Sequence, residues 1–276
     1  MGMAMPLDLV LVRHGLSEAN IIQRSEKADR PHPDLAQVYG RQDYLQRLSQ
    51  EGIVQAEIAG RWLREHVIAP EDFDERYVSP FNRTMDTARH LGGPDSGWLP
   101  EFRLIERDWG QYGATPKQDR PELFPHTDRA KEEASFFARL DGGESIGDVA
   151  YRVRDFMDTL SRDMGDKRVL AVTHGELMWA ARFVIERMLP QEWQALDLDR
   201  GLRIGNCCIM WYSRTNPEDP GEVRGALSAG WLRMVDPVEP ERSPYGGQWQ
   251  ELPGKRRFTG RQLEAITEQT PRILHD

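Results

Sequence analysis

Leu9-Val10-Leu11-Val12-Arg13-His14-Gly15 and Leu170-Ala171-Val172-Thr173-His174-Gly175 are two short apolar runs that end alike, in His-Gly. A brief apolar run closed by a glycine turn reads as a buried parallel strand. In an open α/β sheet, ligands bind outside the carboxyl ends of such strands. Two strands ending this way bring two imidazoles and one guanidinium to one crevice. Arg13 beside His14 marks the ligand there as an anion, and a phosphate suits the guanidinium fork.

Around these runs, strands alternate with helices. The first strand is predicted over residues 7–12. Ser49 caps a helix to about His66, with Ile53, Ala56, Gly60, Leu63 and Val67 on one face. A second strand follows at 76–79. Asn82 is read as the cap of the next helix, which buries Met85, Ala88 and Leu91. Residues 102–105 read as a strand. Ser145 opens a helix with Asp148 at its third position, and Ile146, Val149, Val153, Phe156 and Leu160 form its core stripe. The strand 168–173, a helix over 177–189 and a strand at 207–212 complete the pattern. This alternation predicts an α/β fold, a three-layer sandwich with a mainly parallel central sheet flanked by helices.

Residues 1–213 are thus expected to form one catalytic domain. Two segments interrupt it. Residues 21–39, with Pro31 and Pro33, read as a loop or partly helical excursion, and 107–140, with Pro116, Pro121 and Pro125, as an irregular lid. Both follow motifs that end at the anion, so both are expected to cover the pocket entrance. They carry Arg24, Lys27, Arg30, Tyr39, Trp109, Tyr112, Lys117 and Arg120. Residues 214–276 turn to Pro, Gly, Arg and Glu and read as an extension packed on the core. Thr259 and Gln262 would box the start of a last helix. An oligomer contact is the other reading of this tail, which leaves a homo-oligomer open.

The net charge of −9 argues against general nucleic-acid or membrane-surface binding. It also requires an anion site to be basic locally. Cys207 and Cys208 are adjacent and cannot staple distant segments, so they read as buried thiols. Residues 1–6 lack a basic stretch leading into an apolar one, and Gly2 is followed by Pro6 where myristoylation wants Ser or Thr. A cytoplasmic location is therefore expected. The histidines do not fall at ligand spacing, and there is no Cys-x-x-Cys or nucleotide-phosphate loop. Neither metal nor cofactor is expected.

Arg13-His14-Gly15 with Ser17 and Asn20 resembles the opening signature of the histidine phosphatase superfamily, also called phosphoglycerate-mutase-like. The ordered set carries the resemblance: Gly40, Asp43, Leu48, Gly52, Gln55 and Ala56; Ser79-Pro80, Arg83, Thr87 and Ala88; Leu104, Glu106 and Gly110; Gly143-Glu144-Ser145; Thr173-His174-Gly175; and Asn206. It spans roughly residues 7–212. It implies a phosphatase that hydrolyses a small-molecule phosphate ester through phosphohistidine. His14 would be the nucleophile, which must be neutral to attack. Arg13, Arg83 and His174 would hold the transferred phosphoryl oxygens, and Glu106 would be the general acid. Asn20, Ser17 and the Gly175 backbone would add donors to the substrate. Taken singly, the arginines read as surface ion pairs, Glu106 as a solvated carboxylate and His174 as a core histidine. As an ordered set they read as an active site.

Two alternatives stand beside the phosphatase. One is a phosphoglycerate-mutase-type phosphotransferase, and the other a non-catalytic phospho-ligand binder. The binder is disfavoured because no expected catalytic position is replaced. The mutase pattern has Arg-His-Tyr-Gly after the acid and Trp before the first asparagine. Here Arg107-Asp108-Trp109-Gly110 and Ala19 stand there. The run 106–110, Phe136-Phe137 and Asp148-Val149 look instead like a branch with plant, fungal and bacterial members whose substrates are poorly defined.

Overall fold

Successive strand residues point to opposite faces of a sheet, and β1 (Asp8–Arg13) uses both. Leu9 and Leu11 enter one core, Val10 and Val12 the other. The computed structural model describes residues 4–30 and 32–273; Gly2 and Pro31 lie outside the described residues. After β1 come α1 (Glu18–Lys27), α2 (Leu35–Tyr39), α3 (Gln50–His66), β2 (Glu75–Val78), α4 (Asn82–Gly92) and β3 (Leu99–Pro100). Next are α5 (Gly110–Gly113), α6 (Arg120–Leu123), α7 (Pro125–Ala134), α8 (Ile146–Asp163), β4 (Arg168–Thr173), α9 (Gly175–Ile185) and α10 (Pro190–Asp197). The chain finishes with β5 (Ile209–Ser213), β6 (Trp231–Val235), β7 (Trp249–Glu251) and α11 (Gly260–Thr267).

The strand order is β3-β2-β4-β1-β5-β6-β7. The first four are mutually parallel. β5, β6 and β7 add on antiparallel. One face is covered by α8, α9 and α10 through Val149, Val153, Phe156, Leu160, Leu177 and Trp193. The other is covered by α3 and α4 through Ala56, Ala59, Leu63, Ala88 and Leu91. This is an α/β three-layer sandwich. Both cysteines are buried thiols at the start of β5. Among the described residues no helix is long and apolar enough to cross a membrane.

Several local expectations are corrected. Of the two readings of residues 21–39, the partly helical one holds, because the Ser17–Asn20 capping box starts α1 before the polar stretch begins and α2 follows at Leu35–Tyr39. Phe102–Leu104 is a 3-10 turn, and the strand is the preceding Leu99–Pro100. Phe81 precedes α4 as its cap, while the Asn82 amide donates to the Leu45 carbonyl at 3.2 Å. Met85 is 41% exposed, so the buried stripe of α4 runs through Thr84, Ala88 and Leu91. The helix predicted over 177–189 starts two residues earlier and ends at Ile185. β6 and β7 come from the predicted extension, where Trp249 meets Trp211 with ring centroids 4.7 Å apart.

The turn after β1 lies hard against α3. A Cβ on Gly15 would sit 2.4 Å from the Gly52 carbonyl oxygen, and one on Gly52 would sit 2.2 Å from that of Leu16. Only backbone without a side chain fits there. Gly52→Ala is expected to cost about 1–3 kcal/mol, as overpacking does. It should also displace the turn that carries His14. Calorimetric unfolding and an activity assay check this, and an unchanged midpoint contradicts it.

Candidate active site

The β1–β4 register pairs Arg13 with Thr173. His14 and His174 therefore leave the sheet side by side, with ring centroids 5.1 Å apart. Both are buried. The His14 N–H donates to the Thr173 carbonyl at 2.9 Å. His14 Nδ1 lies 2.7 Å from the Gly15 carbonyl oxygen. A carbonyl only accepts, so Nδ1 carries the proton and Nε2 keeps its lone pair. The turn is clamped from behind. Gly15 N–H donates to Thr87 Oγ1 at 3.0 Å, and Leu16 N–H to Gln55 Oε1 at 2.9 Å.

Burial, then the charges of Arg83 and Arg13, hold the His14 pKa well below the usual histidine range. His174 is depressed in the same way, by burial first and then by Arg83. Its Nε2 lies 2.8 Å from Ser79 Oγ, and its Nδ1 is buried without a partner. With Ser79 donating to Nε2, the ring proton sits on Nδ1, ready for an acceptor.

Arg83 is buried at the start of α4. Nη1 and Nη2 grip Asp43 Oδ1 and Oδ2 at 2.9 and 3.0 Å, and Nη1 also donates to the Asp43 carbonyl at 2.7 Å. Arg13 Nη1 donates to the Ile204 carbonyl at 2.7 Å, while its Nε is buried without a partner. A Cβ on Gly175 would come 3.3 Å from that Nε. Glycine lets Arg13 lie across the first turn of α9.

Glu106 follows the 3-10 turn. Thr173 O–H donates to the Leu104 carbonyl at 2.8 Å, which ties this segment to the end of β4. Arg152, gripped by Glu144 at 2.8 Å, donates to the Arg103 and Ile105 carbonyls. Gly110 and Gly143 allow the close approach beyond. A Cβ on Gly143 would sit 2.4 Å from the Asp108 oxygen. Burial, then Glu176, push the Glu106 pKa up to about 7, against Arg83 and Arg13. Glu176, on the first turn of α9, is itself raised, chiefly by burial, and lies 3.5 Å from Arg107.

His14, Arg13, Arg83, Glu106 and His174 thus converge. Among the described residues, His14, Glu106 and His174 bring ligating atoms within 4.8 Å of one another, a donor set that suits a divalent cation. The two guanidiniums beside them favour an anion. Asn20 Oδ1 accepts from Asn206 Nδ2 at 3.0 Å, and Asn206 Nδ2 also reaches the His14 carbonyl at 3.2 Å. Ser17, expected against substrate, is instead a cap whose oxygen accepts from Asn20 N–H at 3.2 Å. Asp108 is exposed and accepts from Gly110 N–H at 2.8 Å, so its carboxylate folds onto its own turn. Tyr112 is buried, Arg30 is exposed, and Arg107 lies over the Trp109 ring at 4.9 Å. Glu176 and the Asp43 grip were not foreseen as parts of the site. An acid in a helix's first turn reads only as a dipole partner, and only the fold brings Glu176 to Glu106.

Comparison with known proteins identifies the family and its fold. The profile of the Histidine phosphatase superfamily (branch 1) matches residues 9–218. The chain is 31% identical over 175 residues to Phosphoglycerate mutase-like protein AT74 of Arabidopsis thaliana, covering 60% of this chain and about half (50%) of that protein. It is 27% identical over 200 residues to a 2,3-bisphosphoglycerate-dependent phosphoglycerate mutase of Beijerinckia indica, covering 70% and 88%. Mycobacterial glucosyl-3-phosphoglycerate phosphatase, solved with VO3, superposes with TM-score 0.55 at 26% identity, over 74% of this chain and 91% of that one. The Shigella flexneri alpha-ribazole phosphatase shares the fold at TM-score 0.59 and 20% identity, over 80% and 96%.

At pH 7 both imidazoles should be neutral in the free protein, His14 as the Nδ1–H tautomer. Nitrogen NMR checks this, and an imidazolium pattern at pH 7 contradicts it. Arg83→Gln removes a cation and should raise the His14 pKa. Because the folded values lie below the unfolded value of about 6.5, the unfolded chain binds more protons under that pH. Stability should therefore fall on acidification below about pH 6.5, by up to about 1.4 kcal/mol per pH unit for each imidazole.

Proposed function

We propose that this chain, which belongs to the histidine phosphatase superfamily, is a metal-independent phosphatase that hydrolyses a small-molecule phosphomonoester through phosphohistidine at His14. The observation that carries this reading is a neutral His14 with Nε2 free, set among Arg13, Arg83 and an acid whose pKa is about 7.

In the first step the Nε2 lone pair attacks phosphorus and the P–O ester bond breaks. Glu106 gives its proton to the leaving oxygen. Arg13, Arg83 and the His174 Nδ1–H meet the equatorial oxygens, which supplies the charge that a metal provides in other phosphatases. In the second step the Glu106 carboxylate takes a proton from water, whose oxygen attacks phosphorus. The P–N bond breaks, and inorganic phosphate and neutral His14 result. A phosphotransferase is the second reading, favoured by the mutase relatives. It differs only in the acceptor, a bound hydroxyl in place of water.

Quenching turnover in alkali, with EDTA present, should leave phosphate on a peptide containing His14. His14→Ala should abolish both label and turnover. Free phosphate as the product identifies a phosphatase; an isomerised ester without free phosphate identifies a mutase. Turnover that survives in His14→Ala contradicts both.

Glu106→Gln should cost an alkyl phosphate about 10²–10⁴-fold in kcat/KM, the usual worth of a general acid. A nitrophenyl ester, whose leaving group needs little protonation, should lose much less. Since the acid must hold its proton, kcat/KM for the alkyl ester should fall as pH rises through about 7, and the variant should lack that limb. Equal losses on both esters assign Glu106 another role.

A further inference from the structure

Glu144 stands directly before the Ser145 cap of α8. Every polar group it has is engaged with Arg152 or with the segment around Glu106. Its N–H donates to the Asp108 carbonyl at 2.8 Å, and its carbonyl accepts from Arg107 Nε at 2.9 Å. Its Oε2 accepts from the Asp108 N–H at 2.9 Å and from Arg152 Nη2 at 2.8 Å, and its Oε1 accepts from Arg152 Nε at 2.8 Å. Arg152 carries this grip to the other side of the acid. Its Nη1 donates to the Arg103 carbonyl at 2.8 Å and to that of Ile105 at 3.3 Å, and its Nη2 to that of Glu106 at 3.4 Å. Burial pushes the Glu144 carboxyl up, but the Arg152 fork and the Asp108 N–H outweigh it and hold the group below the usual carboxylate range. Glu144 is therefore an anion at neutral pH.

Glu106 lies outside any helix or strand, between the 3-10 turn and α5. No ladder of backbone bonds fixes it, so side chains must. Its Oε1 accepts from the Arg107 N–H at 3.0 Å. Arg107 is buried, and besides the Glu144 carbonyl it reaches the Ala138 carbonyl through Nη2 at 2.9 Å. We propose that Glu144 is the positioning residue of the acid: with Arg152 and Arg107 it ties residues 103–108 to the start of α8 and so fixes where the Glu106 carboxyl stands. The proposal rests on the reading of Glu106 as the general acid. α8 supplies the rigid side of this joint, as an 18-residue helix with Ile146, Val149, Val153 and Phe156 buried. The Glu106 carboxylate comes within 4.8 Å of His14, and a proton donor displaced by about 1 Å from its working place can lose about 10²-fold.

The test uses the full chain with an alkyl phosphate and a nitrophenyl phosphate. Glu144→Gln keeps the shape but loses the charge that holds the Arg152 fork. Its kcat for the alkyl ester should fall about tenfold or more with KM little changed, and the nitrophenyl ester should lose much less. Introduced into Glu106→Gln, the same substitution should cost the alkyl ester less than about twofold, because its effect passes through the acid. Arg152→Lys keeps a cation beside Glu144 but not the fork. It should reproduce the pattern, and it carries the test if Glu144→Gln unfolds. Equal losses on both esters, or losses that add in the double variant, overturn the proposal. Amide exchange reads the position without turnover. The Arg107 N–H, which donates to Glu106, should exchange about tenfold faster in Glu144→Gln while the β1 amides keep their rates. An Arg107 amide that keeps its rate, or one that speeds up only together with β1, overturns the proposal. If no ester is hydrolysed, or Glu106→Gln spares the alkyl ester, the acid reading fails on its own, and the exchange rates then decide the positioning.

Discussion

Everything at this site depends on one register. β1 and β4 lie parallel with Arg13 opposite Thr173, so the next residue of each strand is a histidine at the same edge. A shift of one residue would send every apolar side chain of β1 to the wrong core. The two cores, with Leu9 and Leu11 on one side and Val10 and Val12 on the other, therefore hold the imidazoles in place. Packing energy is converted into catalytic geometry with no contact to the imidazoles themselves. The Gly15–Gly52 approach does the same for the turn, because it fixes where the chain leaves the sheet.

The electrostatics follow from that crowding. Burial, and after it the guanidiniums of Arg83 and Arg13, hold both imidazoles well below the usual histidine range. The opposite pressure acts on Glu106. Burial and Glu176 favour its protonated form, while the same guanidiniums favour its anion. Burial and Glu176 prevail and bring the pKa up to about 7, which under the proposed mechanism lets Glu106 give a proton in one step and take one in the next. His14 and Glu106, the proposed nucleophile and acid, are thus acted on by one set of charges in opposite senses.

β1, β4 and the histidines that follow them were legible because they are local, whereas Arg83 and Glu106 were legible only through the ordered family pattern. An apolar run, its glycine and the residue between them are one short string. Ser145 with Asp148 was legible for the same reason, as a cap declares itself within four residues. What was missed depends on distant partners. Thr87 and Gln55 matched a pattern, but only the fold shows that they hold the Gly15 and Leu16 amides. Glu176 stands far from Glu106 in the chain, and only the start of α9 brings its charge to bear there. β6 and β7 escaped because strands of five and three residues, each opened by a tryptophan, have too little periodicity to show.

The grip of Asp43 on Arg83 completes the argument. A guanidinium has five N–H groups. Asp43 takes two from Nη1 and one from Nη2. The Nε–H and the second Nη2–H remain on one edge, which is the geometry of a bidentate bond to phosphate. Phe81 supports the plane from 5.0 Å away and also packs edge-on against His174. Under the proposed function, Asp43 thus need not compete with a phosphate for Arg83. It holds one edge so that the other is aimed, and it lowers the cost of burying the charge before substrate arrives. Asp43 is half-exposed and Arg83 is buried, so the pair joins the rim of the pocket to its floor. An arginine without that anchor would still be positive, but its fork would not be directed at the oxygens that the proposed transfer moves.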